Sequence, residues 1–160
     1  MLSLRKAEAT DLMLYFEWRN EPAVIANSLS HNAVTLRDHR RWFQRKVNDS
    51  MACLYVIEVD SVPAGQIRFE LAGTQATVHY SLDAGFRGRG LATPSMRRAL
   101  LALRLEKSDL SDVVAEVKPA NIASSRVFER LGFARDRYDE ELQANCYRLR
   151  LTDWQSTPEA

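Results

Sequence analysis

The sequence predicts an α/β (α+β) protein built as one domain over residues 1–155 of 160. Three observations carry that reading. Strand-like and helix-like runs interleave along the chain instead of falling into separate halves. Three strand candidates follow one another, divided only by Asp60-Ser61 and Ala72-Gly73-Thr74, the spacing of an antiparallel meander. The third of them, Gln75–Leu82, runs through Phe86-Arg87-Gly88-Arg89-Gly90-Leu91-Ala92 into a long helical pattern.

In order, Leu2–Lys6 reads as a short strand. Thr10 or Asp11 caps a first helix to about Arg19, with Leu12, Leu14, Tyr15, Phe16 and Trp18 as apolar positions. Glu21-Pro22 ends it, because the residue before proline avoids the helical region. Asn27–Ala33 reads as a polar loop. Thr35, with Asp38 three residues on, opens a second helix to about Val47 that turns Trp42, Phe43 and Val47 to a core. Ala52–Val59, Pro63–Leu71 and Gln75–Leu82 are the meander strands. A third helix spans about Gly90 to Glu106, with Pro94 in its first turn, where a missing N–H breaks no helical bond. Asp112–Val117 is a strand and Asn121–Leu131 a fourth helix, ended by Gly132. Phe133–Tyr138 and Asn145–Leu151 are the last strands, and Ser156–Ala160 is expected to fray.

Composition narrows the function. Twenty-two Lys and Arg against 21 Asp and Glu give a net charge of +1, so no bulk field favours nucleic acid or membrane. The basic cluster Arg40-Arg41 with Arg45-Lys46 reads as a solvated helix face. No run approaches the roughly 18 apolar residues of a membrane span, and Met1–Arg5 lacks a signal-peptide core. Cys53 and Cys146 sit in apolar runs without metal spacing, which predicts buried free thiols, a cytoplasmic setting and no metal.

The glycine-rich turn is a device for holding phosphate. Gly88 and Gly90 let backbone N–H groups approach an anion, and the following helix adds the positive end of its dipole. Gly90 is followed by Leu91-Ala92 and not by Lys and Ser/Thr, which excludes a P-loop. Thr93 stands where a dinucleotide fingerprint needs a third small residue, and no acidic partner follows at ribose distance.

Arg87-x-x-Gly90-x-Ala92 resembles the pyrophosphate loop of the GNAT superfamily of acyl-CoA-dependent N-acyltransferases, as does the element order around it. Asn121-Ile122-Ala123-Ser124-Ser125, then Phe128 and Leu131-Gly132-Phe133, is similar to that superfamily's fourth-helix block. The resemblance implies a mixed, mostly antiparallel seven-stranded sheet, splayed in a V between strands 4 and 5 and flanked by four helices. It implies acetyl-CoA as co-substrate, its pantetheine arm in the splay beside Ser81 and Leu82. Backbone N–H groups of Arg87, Gly88, Arg89, Gly90, Leu91 and Ala92 would hold the pyrophosphate, with Asn121, Ser124 and Phe128 on the far wall. A backbone N–H near Leu82 is the natural oxyanion donor.

Glu17-Trp18-Arg19-Asn20-Glu21-Pro22, Asp38-His39-Arg40-Arg41-Trp42-Phe43 and Gly65-Gln66-Ile67-Arg68-Phe69 together are similar to the nucleotide-amino-sugar N-acetyltransferases of pseudaminic and related nonulosonic acid pathways. That resemblance implies acetylation of the 4-amino group of a UDP-linked deoxy-amino sugar. Arg19, His39, Arg68 and Glu70 would meet the acceptor, and Trp18 or Trp42 would stack on it. Protein N-terminal or ribosomal-protein acetylation and a catalytically silent acetyl-CoA-binding module are the alternatives. A homodimer is compatible with either. For catalysis, His79 is the first base candidate by its place beside the acetyl group and its reference pKa of about 6.5, with Glu70 and His39 as rivals. Many family members carry a tyrosine at the position of Phe128 to protonate the departing sulfur. A thiol of pKa about 8.5 can leave unassisted, and Ser125, Tyr138 or a water could substitute for the tyrosine here.

Overall fold

Pairing each strand with its register in the computed structural model, which describes residues 1–156, yields a seven-stranded sheet ordered β1-β2-β3-β4-β5-β7-β6. The strands are β1 (Leu2–Lys6), β2 (Ala52–Val59), β3 (Val62–Ala72), β4 (Gln75–Leu82), β5 (Asp112–Val117), β6 (Ala134–Asp139) and β7 (Ala144–Arg150). All neighbours run antiparallel except β4 and β5. The expected strands therefore form with ends shifted by one residue at most. Apart from Ser156, the expected frayed tail lies outside the described residues.

The helices are α1 (Leu12–Asn20), α2 (Pro22–Asn27), α3 (Leu36–Val47), α4 (Ala92–Glu106) and α5 (Ile122–Arg130). Among the described residues, five α-helices replace the expected four. Glu21 is extended (ψ 134°), as a residue before proline must be, but Pro22 then occupies the first position of a new helix. The same residue stops one helix and starts another. Asp11 occupies the N-cap position of α1, as one of the two expected candidates, but its side chain makes no cap hydrogen bond to α1. A one-turn 3₁₀ helix precedes it, and Glu8 and Asp11 close it reciprocally through side chain and backbone. α4 starts at Ala92 and not Gly90, which leaves both glycines in the loop with φ of +73° and +71°. Thr35 caps α3 through the Asp38 N–H. At the end of α5, Gly132 (φ +93°) lets the Phe133 N–H return to the Phe128 carbonyl (3.0 Å).

Strand alternation divides the core in two. Tyr55, Ile57, Ile67, Phe69, Val78, Val113, Ala115 and Val117 face α4 and α5, where Met96, Leu100, Leu103 and Phe128 complete the larger cluster. Leu54 and Val56 face α1 and α3 and pack on Tyr15, Trp18 and Phe43. The site lies where these two layers meet a gap in the sheet.

Candidate active site

The gap is built by unequal strand pairing. β5 pairs with β4 only through residues 75–77, against a full antiparallel ladder on the other side of β4. The Asp83 N–H donates to the Ala64 carbonyl (2.8 Å), so alternation points the backbone groups of Val78, Tyr80 and Leu82 away from β3, into the splay. The Leu82 carbonyl accepts from Arg87 Nε (3.0 Å), while the Leu82 N–H faces the splay. A cleft of about 770 Å³ runs through this gap from the glycine loop to α1–α3.

At one end, Gly88, Gly90, Leu91 and Ala92 line the cleft, and a side chain built on either glycine would meet no atom within 4 Å. The backbone there is bare and accessible, which fits an approaching pyrophosphate. Neither loop arginine points its charge freely at it. Arg87 forms a two-pronged ion pair with Glu21, which holds its guanidinium charged, and Arg89 stacks over the Phe86 ring at 5.1 Å. Opposite, Asn121 caps α5 through the Ser124 N–H (3.3 Å), and Ser124 Oγ pairs with the Tyr80 hydroxyl (2.9 Å).

The other end explains the N-terminal motif residue by residue. Trp18 Nε1 donates to Asp83 (3.1 Å), pinning α1 to the turn after β4. Arg19 enters the cleft wall and donates to Ser30 (3.0 Å). Asn20 clamps Val34 through both its N–H and its C=O (2.8 Å each). Lys118, after β5, fastens the α2 loop across the cleft by donating to the Ala26 carbonyl (2.7 Å). His39 Nε2 lies 2.8 Å from the Leu12 carbonyl, so this nitrogen carries a proton, and burial lowers the ring's pKa. Trp42 is the platform under Arg68, whose guanidinium stands 5.1 Å from the ring centroid. Gln66 Nε2 donates to Ser81 Oγ (3.2 Å).

Most of the sequence-predicted site converges on this cleft: Arg19, His39, Arg68, His79, Ser81, Leu82, Arg87, Gly88, Gly90, Leu91, Ala92, Asn121, Ser124 and Phe128 all line it. Arg89, Glu70, Ser125 and Tyr138 do not. Glu70 instead pairs with Arg68 (3.4 Å) and Lys46 (3.8 Å). Ser125 is one residue past Ser124, and a helix turns it about 100° away. Tyr138 lies 41% exposed on the edge strand β6. His79 stands opposite Arg68 in the ladder, and burial together with that positive charge lowers its pKa to about 3. Two cleft residues, Tyr80 and Glu116, had no motif to announce them. Tyr80 reads in sequence as one more apolar strand position. Glu116 sits in an otherwise apolar run, and that interruption was its only signal, whereas Gln66 stood in the Gly65–Phe69 motif without a role of its own. Glu116 faces the cleft from β5 with no hydrogen bond or ion pair among the described residues, and burial raises its pKa.

A family model described as an acetyltransferase (GNAT) domain matches residues 1–134. The chain belongs to the GNAT acetyltransferase family. As a GNAT-type enzyme it is an acetyl-CoA-dependent N-acetyltransferase. Solved structures share the fold at low identity. A Vibrio cholerae spermidine N-acetyltransferase, in complex with CoA and spermine, is 16% identical with a TM-score of 0.79 over 92% of each chain. The aminoglycoside acetyltransferase AAC(6′)-Ib with ribostamycin and coenzyme A is 20% identical, with a TM-score of 0.81 over 99% of each chain. RimL, a ribosomal L7/L12 α-N-protein acetyltransferase in complex with coenzyme A, is 21% identical with a TM-score of 0.78 over 93% of each. No curated protein sequence matches. Among the described residues, no helix of this GNAT protein is long and apolar enough to cross a membrane.

Proposed function

We propose that this acetyltransferase modifies a primary amine on an acceptor that carries phosphate, a nucleotide-linked deoxy-amino sugar acetylated at its 4-amino group. The observation that carries the reading is Arg19. Its Nη1 is buried in the cleft wall with no hydrogen-bond partner among the described residues, while its Nη2 is held by Ser30. An unpaired guanidinium N–H of this kind is satisfied by a phosphate or sugar oxygen. Arg68, buried beside Trp42, adds a second cation and a stacking surface. Gln66 Oε1, also buried and unpartnered, offers an acceptor to a hydroxyl or an amine N–H. Purely cationic acceptors such as spermine or kanamycin bring charges of the wrong sign to these arginines.

In this reading the backbone N–H groups of residues 87–92 hold the pyrophosphate, Asn121 and Ser124 flank it, and the Leu82 N–H receives the oxyanion. Glu116 takes the amine's proton. Burial makes the Glu116 carboxylate a stronger base than a free one, whereas a ring with a pKa near 3 is a poor base, so His79 orients and does not deprotonate. Thiol release from acetyl-CoA, followed with a UDP-4-amino-4,6-dideoxysugar, spermidine, kanamycin and a ribosomal-protein N-terminal peptide, tests the assignment. The nucleotide sugar is expected to give the highest kcat/KM, by tenfold or more. A preference for a polycation or the peptide overturns it.

A further inference from the structure

We infer that the phenol absent from α5 is supplied across the cleft by Tyr80, which donates the proton to the departing CoA sulfur, with Ser124 as its positioning residue. The inference rests on the acetyltransferase reading of this site and extends it to the leaving group.

Five tyrosines are available. The Tyr15 hydroxyl donates to the Tyr55 carbonyl (2.7 Å) and that of Tyr55 to Glu106 (3.2 Å). Tyr138 and Tyr147 do not line the cleft. Tyr80 does, and it occupies the right side of it. Alternation along β4 sends His79 and Ser81 to the acceptor layer and Tyr80 to the layer of α4 and α5, where its ring meets Phe128 edge-on at 5.9 Å. Its hydroxyl stands in the same compartment as Phe128 and is fixed by Ser124 Oγ at 2.9 Å, on the first turn of α5. Phe128 itself is locked between Phe133 and Tyr147, with centroids 5.0 Å and 6.3 Å away.

The chemistry balances. The amine nitrogen bonds to the thioester carbon, the C–S bond breaks, and its electron pair leaves on sulfur. Sulfur takes the proton of Tyr80 Oη, giving free CoA thiol. Ser124 Oγ–H turns to Oη and stabilises the growing phenolate charge, and the proton lost by the amine returns to Oη through solvent. Burial raises the Tyr80 pKa, so the phenol keeps its proton at working pH until sulfur needs it, while the Ser124 contact acts in the opposite sense and supports release.

A donor aimed at sulfur also stabilises the thiolate of bound free CoA, which can be read without any acceptor. The thiolate absorbance of CoA bound to the whole protein is titrated in wild type, Tyr80→Phe, Ser124→Ala and the double variant Tyr80→Phe/Phe128→Tyr. CoA affinity is measured at pH 6.5, where the thiol is protonated. The bound thiol pKa is expected to rise by about one unit in Tyr80→Phe, less in Ser124→Ala, and to recover in the double variant, with CoA affinity at pH 6.5 within threefold throughout. CoA bound equally well with the same thiol pKa in wild type and Tyr80→Phe overturns the role of Tyr80 alone. Failure of the wild-type protein to bind CoA overturns the cofactor reading, and this inference with it.

Discussion

Arg19 and Arg68 reach one wall of the cleft from a helix and a strand far apart in sequence, and neither touches the glycine loop. Their substitution therefore separates the two substrates. Arg19→Ala and Arg68→Ala should each raise the acceptor KM about tenfold or more, the loss of one charge-assisted contact, with acetyl-CoA affinity unchanged. Loss of acetyl-CoA binding in both, or full activity on a nucleotide sugar, removes the acceptor assignment. Glu116 and His79 make a second contrast. Glu116→Gln should lower kcat by about 10²–10⁴-fold and abolish the rise of rate with pH. His79→Gln should leave that rise in place, since the ring is already neutral above pH 4. A pH–rate profile flattened by His79→Gln and not by Glu116→Gln would reverse the two roles.

At the scale of elements, the loop between β4 and α4 is a left-handed pair of glycines held between two anchors. Trp18–Asp83 and Glu21–Arg87 tie it to the α1–α2 junction, so the glycine-loop end and the α1–α3 end of the cleft share one support. Gly90→Val places a branched side chain in space that is empty for an anion, at a φ of +71° that costs about 1–2 kcal/mol for an L-residue. The fold should survive and acetyl-CoA affinity should fall by at least tenfold. Calorimetry giving wild-type affinity in the folded variant would remove the loop from the binding site.

For the whole molecule, acid sensitivity follows from two groups, Asp11 and His79, on the α1–α3 side of the sheet. The Asp11 carboxylate, buried against Arg5 at 2.8 Å and 2.9 Å, titrates below the usual range because Arg5 hydrogen-bonds it, so its contribution is present above about pH 4 and is lost as pH falls further. His79 is neutral in the folded protein down to about pH 3, while the unfolded chain protonates it below about 6.5. Unfolded molecules then bind more protons, and stability should decline by up to about 1.4 kcal/mol per pH unit from 6.5 downward. Urea unfolding at pH 7, 5.5 and 4.5 should show this decline in wild type and a flatter one in His79→Gln. Equal slopes would mean that His79 is protonated in the folded state.

Local chemistry determined most of the elements and the glycine turn before α4. Period-two runs, the Thr35 cap, the Gly132 terminator and the Arg87-x-x-Gly90-x-Ala92 turn depend on interactions within a few residues, and those can be read from sequence. Pro22 was legible only in half, since proline stops a helix by its effect on Glu21 and starts one by its own fixed φ, and nothing local says whether the chain continues. What tertiary structure alone decided is which side chains share a compartment. The end of β4–β5 pairing after Thr77 opens the cleft, and it sends His79 towards Arg68 and Tyr80 towards Phe128 and Ser124. A histidine's basicity and a phenol's usefulness depend on burial and on charges brought from distant strands, so the sequence named the histidine while only the assembled sheet showed its weak basicity and placed the tyrosine beside α5.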